Sequence, residues 1–283
     1  MNWFVLSLGA AVTQATQFAV VKGRGREIPP LVIVTWTQGV AFLAWLAFFA
    51  LSDSPFVAPR AAWPAILAST VLVLGMSGLL ARASARGDIS IVGPIFALSP
   101  IFTVLPDFVL SGTVPSPLGW FGLALAVAGT VTLSGGGLHA VFARRDALDA
   151  LGAAILLGVL AAVDRWAALA MGPPSYLLCS HGATALLTAL IVLVTAPRGL
   201  VASLTPRHVV TLVTHGLLGV TGTGMQTTAL TLAPAAYVNA IRRMSAVIAV
   251  ILGGALFREA DVGRRLVAAV LACAGAAMLL IAH

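Results

Sequence analysis

The chain is 283 residues long, 60% hydrophobic and only 9% charged, with a mean hydropathy of +1.04. A soluble domain carries about 25% charged residues because its surface meets water, so this composition excludes an ordinary soluble fold and describes a surface that mostly meets lipid. The formal net charge of +7 and pI near 11 sit in short turns between apolar runs, the pattern of a membrane orientation signal, which argues against nucleic acid as a partner.

Ten apolar runs follow one another, at 2–21, 29–52, 61–82, 89–111, 116–137, 149–171, 174–196, 207–230, 234–257 and 262–282. Each is long enough to cross a hydrocarbon core of about 30 Å as a helix. The strictly alternating segments of about ten residues that build a membrane barrel are absent. The expected fold is therefore an all-α integral membrane protein of ten transmembrane helices. The first run has no basic leader and no small-residue cleavage site, so it reads as a retained helix, not a signal peptide. The fourth carries Pro94, Pro100 and Pro106; each removes a backbone donor, and freed carbonyls at membrane depth belong beside protein or a water-filled cavity. Cys179 and Cys273 fall inside apolar runs and read as packing residues. No phosphate loop, nucleotide fingerprint or metal motif appears, so neither cofactor nor metal is expected.

The ninth run holds the pair that most needs explaining. Met244 to Phe257 alone is too short to span, so Arg242 and Arg243 must lie within the membrane.

The two halves of the chain align. A shift of 146 places 85–133 over 231–279 without a gap, and ten of the 49 positions are identical, among them Ser99/Ser245, Ala128/Ala274 and Gly129/Gly275. The polar stretch HAVFARRDALD divides the copies, giving repeats at 1–137 and 149–283 joined by 138–148. Five helices per copy is an odd number, so the second enters the membrane inverted, an architecture of transporters with a midplane site between the halves. Lys and Arg counted by alternate connections give twelve on one side, including Lys22, Arg82, Arg86 and Arg198, against Arg60 and Arg165 on the other. The positive-inside rule puts the basic side in the cytoplasm and both termini outside.

These features resemble the drug/metabolite transporter superfamily, and within it the EamA-type transporters. The resemblance is densest at LLARASARGDISIVGPIFALSPIFTVL and QTTALTLAPAAYVNAIRRMSAVIAVILGGALFRE. Glu259 matches the family's acidic residue before the last helix, whereas its repeat partner is Thr113. Val163-Asp164-Arg165 resembles the basic step closing the first helix of a half. The resemblance implies export of a small metabolite, such as an amino acid or organic acid, by alternating access across the cytoplasmic (inner) membrane. It also implies both termini inside, against the charge count.

Few polar groups occupy the spans. Ionisable ones are costly in lipid and usually face a cavity or a partner. Arg242 and Arg243, with Asn239 before them, form a polar stripe whose guanidinium fork suits a carboxylate or phosphate. Gln14, Gln226 and Tyr237 are further candidates for lining a substrate site, and Trp36 and Trp166 for walling it; Trp3 and Trp63 fit the interfacial belt. Asp107 and Asp164 each admit two roles, proton coupling or counter-ion to an arginine. Asp164 beside Arg165 suggests a helix-end salt link, and Asp107, near a helix end, a solvated group. His181 and His215 are titratable or simply packed. The expected partners are a small anionic or zwitterionic substrate and the bilayer, for a monomer or homodimer.

Two other classes are carried. A flippase or accessory subunit for a lipid-linked or phosphorylated sugar is compatible with the fold. GMSG, residues 75–78, has the shape of an intramembrane serine protease motif, with Ser77 as nucleophile and His181 or His215 as base.

Overall fold

Prolines set the starts of five helices, because a fixed φ and a missing N–H cost nothing in a first turn. The computed structural model describes residues 2–24, 28–86, 95–134, 145–245, 248 and 262–282, and every regular element among them is helical. In chain order these are α1 (Trp3–Arg24), α2 (Pro30–Leu51), a 3-10 turn (Arg60–Ala62), α3 (Trp63–Arg86), α4 (Ser99–Ser111), α5 (Pro117–Ser134), α6 (Arg145–Met171), α7 (Pro173–Thr195), α8 (Pro197–Ser203), α9 (Pro206–Leu232), α10 (Ala235–Arg243) and α11 (Val262–Ala282). Ser116 caps α5 by accepting the Gly119 N–H at 3.1 Å, and α6 begins with Asp146, which complements the helix dipole. α4 closes on Gly112 in the left-handed region (φ 66°). Gly172 (φ 76°) alone turns α6 into α7.

Four helical stretches, Pro30–Leu51, Arg60–Ala83, Arg145–Met171 and Pro173–Thr195, are long and apolar enough to span a membrane. The chain is thus an all-helical membrane protein. The apolar runs coincide with helices almost throughout, with three differences. α8, expected as a plain turn, is a short helix. The fourth run is not one helix: regular bonding fails at Ala97–Leu98, and α4 starts afresh at Ser99. Pro100 has no N–H to give the Phe96 carbonyl, which accounts for the break. The ninth run breaks at Met244, where α10 ends; residues 87–94 and 249–261, including Glu259, lie outside the described residues.

Helices pair closely where glycine permits it. α5 lies on α11, α3 on α6, α1 on α9, α2 on α7, and α4 on α6. A Cβ at Gly129 would stand 2.5 Å from the Ala272 amide, and one at Gly275 2.4 Å from the Ala126 amide. One at Gly158 would stand 2.6 Å from the Phe102 carbonyl carbon, and one at Gly222 2.5 Å from the Thr13 hydroxyl. In lipid, where burial of apolar surface gives helices no preference for each other, such backbone approach is the main source of association.

α10 is the hub. It is nine residues long yet buried on all sides, touching α1, α4, α5, α6, α9 and α11. Tyr237, Val238 and Ile241 join Leu6, Leu123, Leu230 and Leu279 in the largest apolar cluster. Trp3, expected at the interface, is buried there with its ring 6.3 Å from that of Tyr237; Trp63 is exposed.

Gly129→Ala and Gly275→Ala would drive methyl groups into backbone, an overpacking worth about 1–3 kcal/mol. Thermal unfolding in detergent is expected to show both lowered, while Gly78→Ala, which meets nothing within 4 Å, leaves the midpoint in place.

Candidate functional site

A cavity of about 300 Å³ opens among α1, α2, α3, α6, α7 and α9, where the end of α10 reaches it. Its apolar wall includes Val73, Met76, Leu157 and Leu160. Its polar groups fall into three sets.

The first is the arginine pair. Arg242 and Arg243 both line the cavity, and the Nε of each is buried without a hydrogen-bond partner. Arg243 is 7% exposed; its Nη2 donates to Gln14 Oε1 at 3.5 Å, its guanidinium carbon lies 5.1 Å from the centre of the Phe96 ring, and Ser245 donates to the same Gln14 oxygen at 3.2 Å. Regular helix ends at Arg243, so the pair sits at the last turn of α10 inside the bundle. Unpaired donors of this kind, held in a cavity, are strong ligands for an oxyanion.

The second set surrounds Asp164. Its Oδ1 accepts the Ser69 hydroxyl at 3.1 Å and the Tyr176 hydroxyl, and those two hydroxyls are 2.6 Å apart. Arg242 lines the same cavity as this carboxylate. The third set is two histidine bridges. His181 Nδ1 meets Gln38 Oε1 and its Nε2 meets Thr223 Oγ1 at 3.3 Å; His215 Nδ1 meets Thr37 Oγ1 at 2.9 Å.

Of the residues singled out from sequence, the structure thus brings Arg242, Arg243, Gln14, Gln226, Asp164 and His181 to one cavity. Asn239 and Tyr237 are elsewhere. Asn239 is 1% exposed and donates to Thr103 Oγ1 at 2.9 Å, on the side of α10 facing α4. Tyr237 is packed in the core, its hydroxyl accepting the Ser116 N–H at 3.3 Å. Their places follow from helical spacing, since a stripe on a helix buried all round has no single solvent-facing side. Trp36 and Trp166 do not line the cavity either; Trp36 donates to Ser203 Oγ at 3.0 Å.

Asp107 requires a correction, and so does the supposed Asp164–Arg165 link. Asp107 is not solvated; it is 2% exposed and pairs with Arg165, Oδ1 to Nη1, at 2.9 Å. Arg165 also donates from Nη1 to Thr113 Oγ1 at 2.7 Å and from Nε to the Leu230 carbonyl at 3.1 Å. Adjacent residues on a helix point about 100° apart, so Arg165 turns to α4 and α9 while Asp164 turns to the cavity. Asp107 Oδ2 accepts the Ala235 N–H at 2.9 Å, at the first residue of α10.

Sequence reasoning missed Ser69, Tyr176 and Phe96. Tyr176 offered one signal, being one of only two tyrosines and lying a turn inside a proline-started helix. Ser77 is on the cavity wall, but neither His181 nor His215 bonds it, and both nitrogens of His181 are engaged elsewhere. The nucleophile–base contact of a serine protease is not formed.

A helical membrane bundle around a cavity of about 300 Å³ with buried charge on its wall is an arrangement suited to a transporter-like protein. Residues 1–135 match the EamA-like transporter family, which is part of the drug/metabolite transporter superfamily. No curated protein matches. Among solved structures 28 chains match; one, "Crystal structure of protein", is 20% identical with a TM-score of 0.79, covering 98% of this chain and 96% of that one. At this identity the likeness is one of fold, and it extends over the second half as well as the first.

Removing one partner of a buried ion pair strands the other charge, at a cost of about 3–5 kcal/mol. Asp107→Ala is accordingly expected to lower thermal stability far more than Asp164→Asn, which removes a charge but keeps a hydrogen-bonding group. Equal midpoints for the two variants would refute the clamp described for Asp107.

Proposed function

We propose that this chain is a secondary transporter of the cytoplasmic membrane that moves a small anionic or zwitterionic metabolite, such as an organic acid or amino acid, by alternating access. The observation that carries this is the arginine pair: two guanidinium groups with unpartnered Nε atoms on the wall of a cavity of about 300 Å³. Buried arginine is costly in lipid and is retained where it binds or pairs. Arg242 and Arg243 hold the anionic group, with Gln14 and Gln226 beside them, and Asp164 is the group through which transport couples to protons. Export is the direction proposed, following the resemblance.

The ten-helix, two-repeat architecture is part of the same proposal, with halves at 1–137 and 149–283. Its support is the pairing of helices. If α1, α2, α3 and α5 correspond to α6, α7, α9 and α11, as the shift of 146 sets them, then α1 on α9 is the mate of α6 on α3, while α2–α7 and α5–α11 each pair a helix with its own counterpart. The shift of 146 also superposes the break at Ala97–Leu98 on Arg243–Met244. Broken helices in corresponding positions of inverted halves are where transporters place their sites. The basic connections are proposed to face the cytoplasm, with both termini outside.

The test is flux through purified protein in liposomes, using radiolabelled organic acids and amino acids. Loss of one charge-assisted contact is worth about tenfold or more in affinity, so Arg242→Ala and Arg243→Ala should each raise the half-saturation concentration by that order. Wild-type half-saturation in both variants removes the binding role.

A further inference from the structure

We propose that Asp164 makes anion binding and proton binding mutually favourable, so that substrate and proton cross together in the same direction and the preferred substrate carries a net negative charge. The inference rests on the reading that Arg242 and Arg243 hold the anion.

Asp164 is the sole carboxylate among the described residues of the cavity wall. Its contacts are hydroxyls, from Ser69 and Tyr176, and no cation touches it. Arg165, next in the chain, is committed to Asp107. The other titratable groups facing the cavity are Tyr176 and His181 from α7, His215 from α9, and Arg242 and Arg243 from α10; α1, α2 and α3 contribute none. With the histidines neutral, the wall carries one net positive charge when Asp164 is ionised and two when it is protonated.

An anion seated at the arginines feels an ionised Asp164 as repulsion, because both share one low-dielectric space. At an effective dielectric near 20, Coulomb's relation makes such a repulsion across one cavity worth about tenfold or more in affinity. Linkage is reciprocal: if the proton tightens the anion, the anion tightens the proton by the same factor. The loaded carrier therefore holds both. A substrate bearing an ammonium group reverses the sign, since it would seat against Asp164 only by displacing the proton. Phe96 lies against Arg243, and Leu157 and Leu160 are on the same cavity wall, with no second carboxylate among its described residues, which favours an anion with an apolar body. On this assignment export runs on the metabolite's own gradient, and each exported anion takes a proton with it.

The experiment is calorimetric titration of the full-length protein in nanodiscs between pH 5.5 and 8, in buffers of different ionisation enthalpy. Phenylpyruvate, whose carboxyl stays ionised in this range, and phenylalanine are the probes. Expected are phenylpyruvate binding about tenfold tighter at the acid end, with net proton uptake by the wild-type protein. Asp164→Asn should bind with the acid-end affinity at every pH and take up no proton, whereas His181→Gln and His215→Gln retain the pH dependence. The proton-uptake measurement needs no variant, so it decides even if Asp164→Asn does not fold. Phenylpyruvate binding that is flat in pH, weakens in acid, or releases protons overturns the coupling while leaving the anion site standing. Tighter binding of phenylalanine with proton release also overturns it. No binding of either probe at any pH overturns the anion site and the coupling together.

Discussion

The carboxylate of Asp107 decides where the arginines stand. One oxygen holds Arg165 of α6, and the other accepts the first N–H of α10. A helix starting inside a bundle has unpaired donors that lipid cannot satisfy; here a buried anion from α4 takes one of them and complements the positive end of the helix dipole. From that anchor nine residues at 1.5 Å each carry the backbone to Arg243. The guanidinium that balances Asp107 also holds the Leu230 carbonyl near the end of α9, so the loop entering α10 is fixed on both flanks. Four elements are tied at one ion pair, and the cavity's principal cations are placed by it from two helical turns away.

This arrangement separates two uses of charge that look alike in a sequence. Arg165 and Arg242 are both arginines within apolar runs. Arg165 has its carboxylate, a hydroxyl and a carbonyl around it, and it serves the fold. Arg242 and Arg243 each keep an Nε without a partner on the cavity wall, and an anionic substrate is the partner proposed for them. A fully satisfied buried cation stabilises an arrangement, whereas a partly satisfied one creates a vacancy for an anion.

Much of this was legible in the sequence. Hydropathy located the helices because each had to bury its own backbone bonds over a known thickness. The prolines of the fourth run anticipated its interruption, and rarity of intramembrane charge drew notice to Arg242, Arg243 and Asp164. Partnerships were not legible. Asp164 and Arg165 are neighbours in sequence and strangers in space, and Asp107 finds its cation 58 residues away. Asn239 and Tyr237 share α10 with the arginines but turn to the core, because a helix packed on every side has no face that the sequence alone marks as wet. Tyr176 completes the Asp164 site through a tertiary contact that no spacing announces.

The contact between α5 and α11 has a mechanical consequence. Gly129 meets the backbone at Ala272, and Gly275 meets it at Ala126, so the two helices interlock at two points along their length like a dovetail. Sliding one past the other would drive backbone atoms into each other, while rolling about the shared line moves them very little. α5 lies in the first half of the chain and α11 in the second. A rearrangement that kept this contact would turn about the seam and not slide along it.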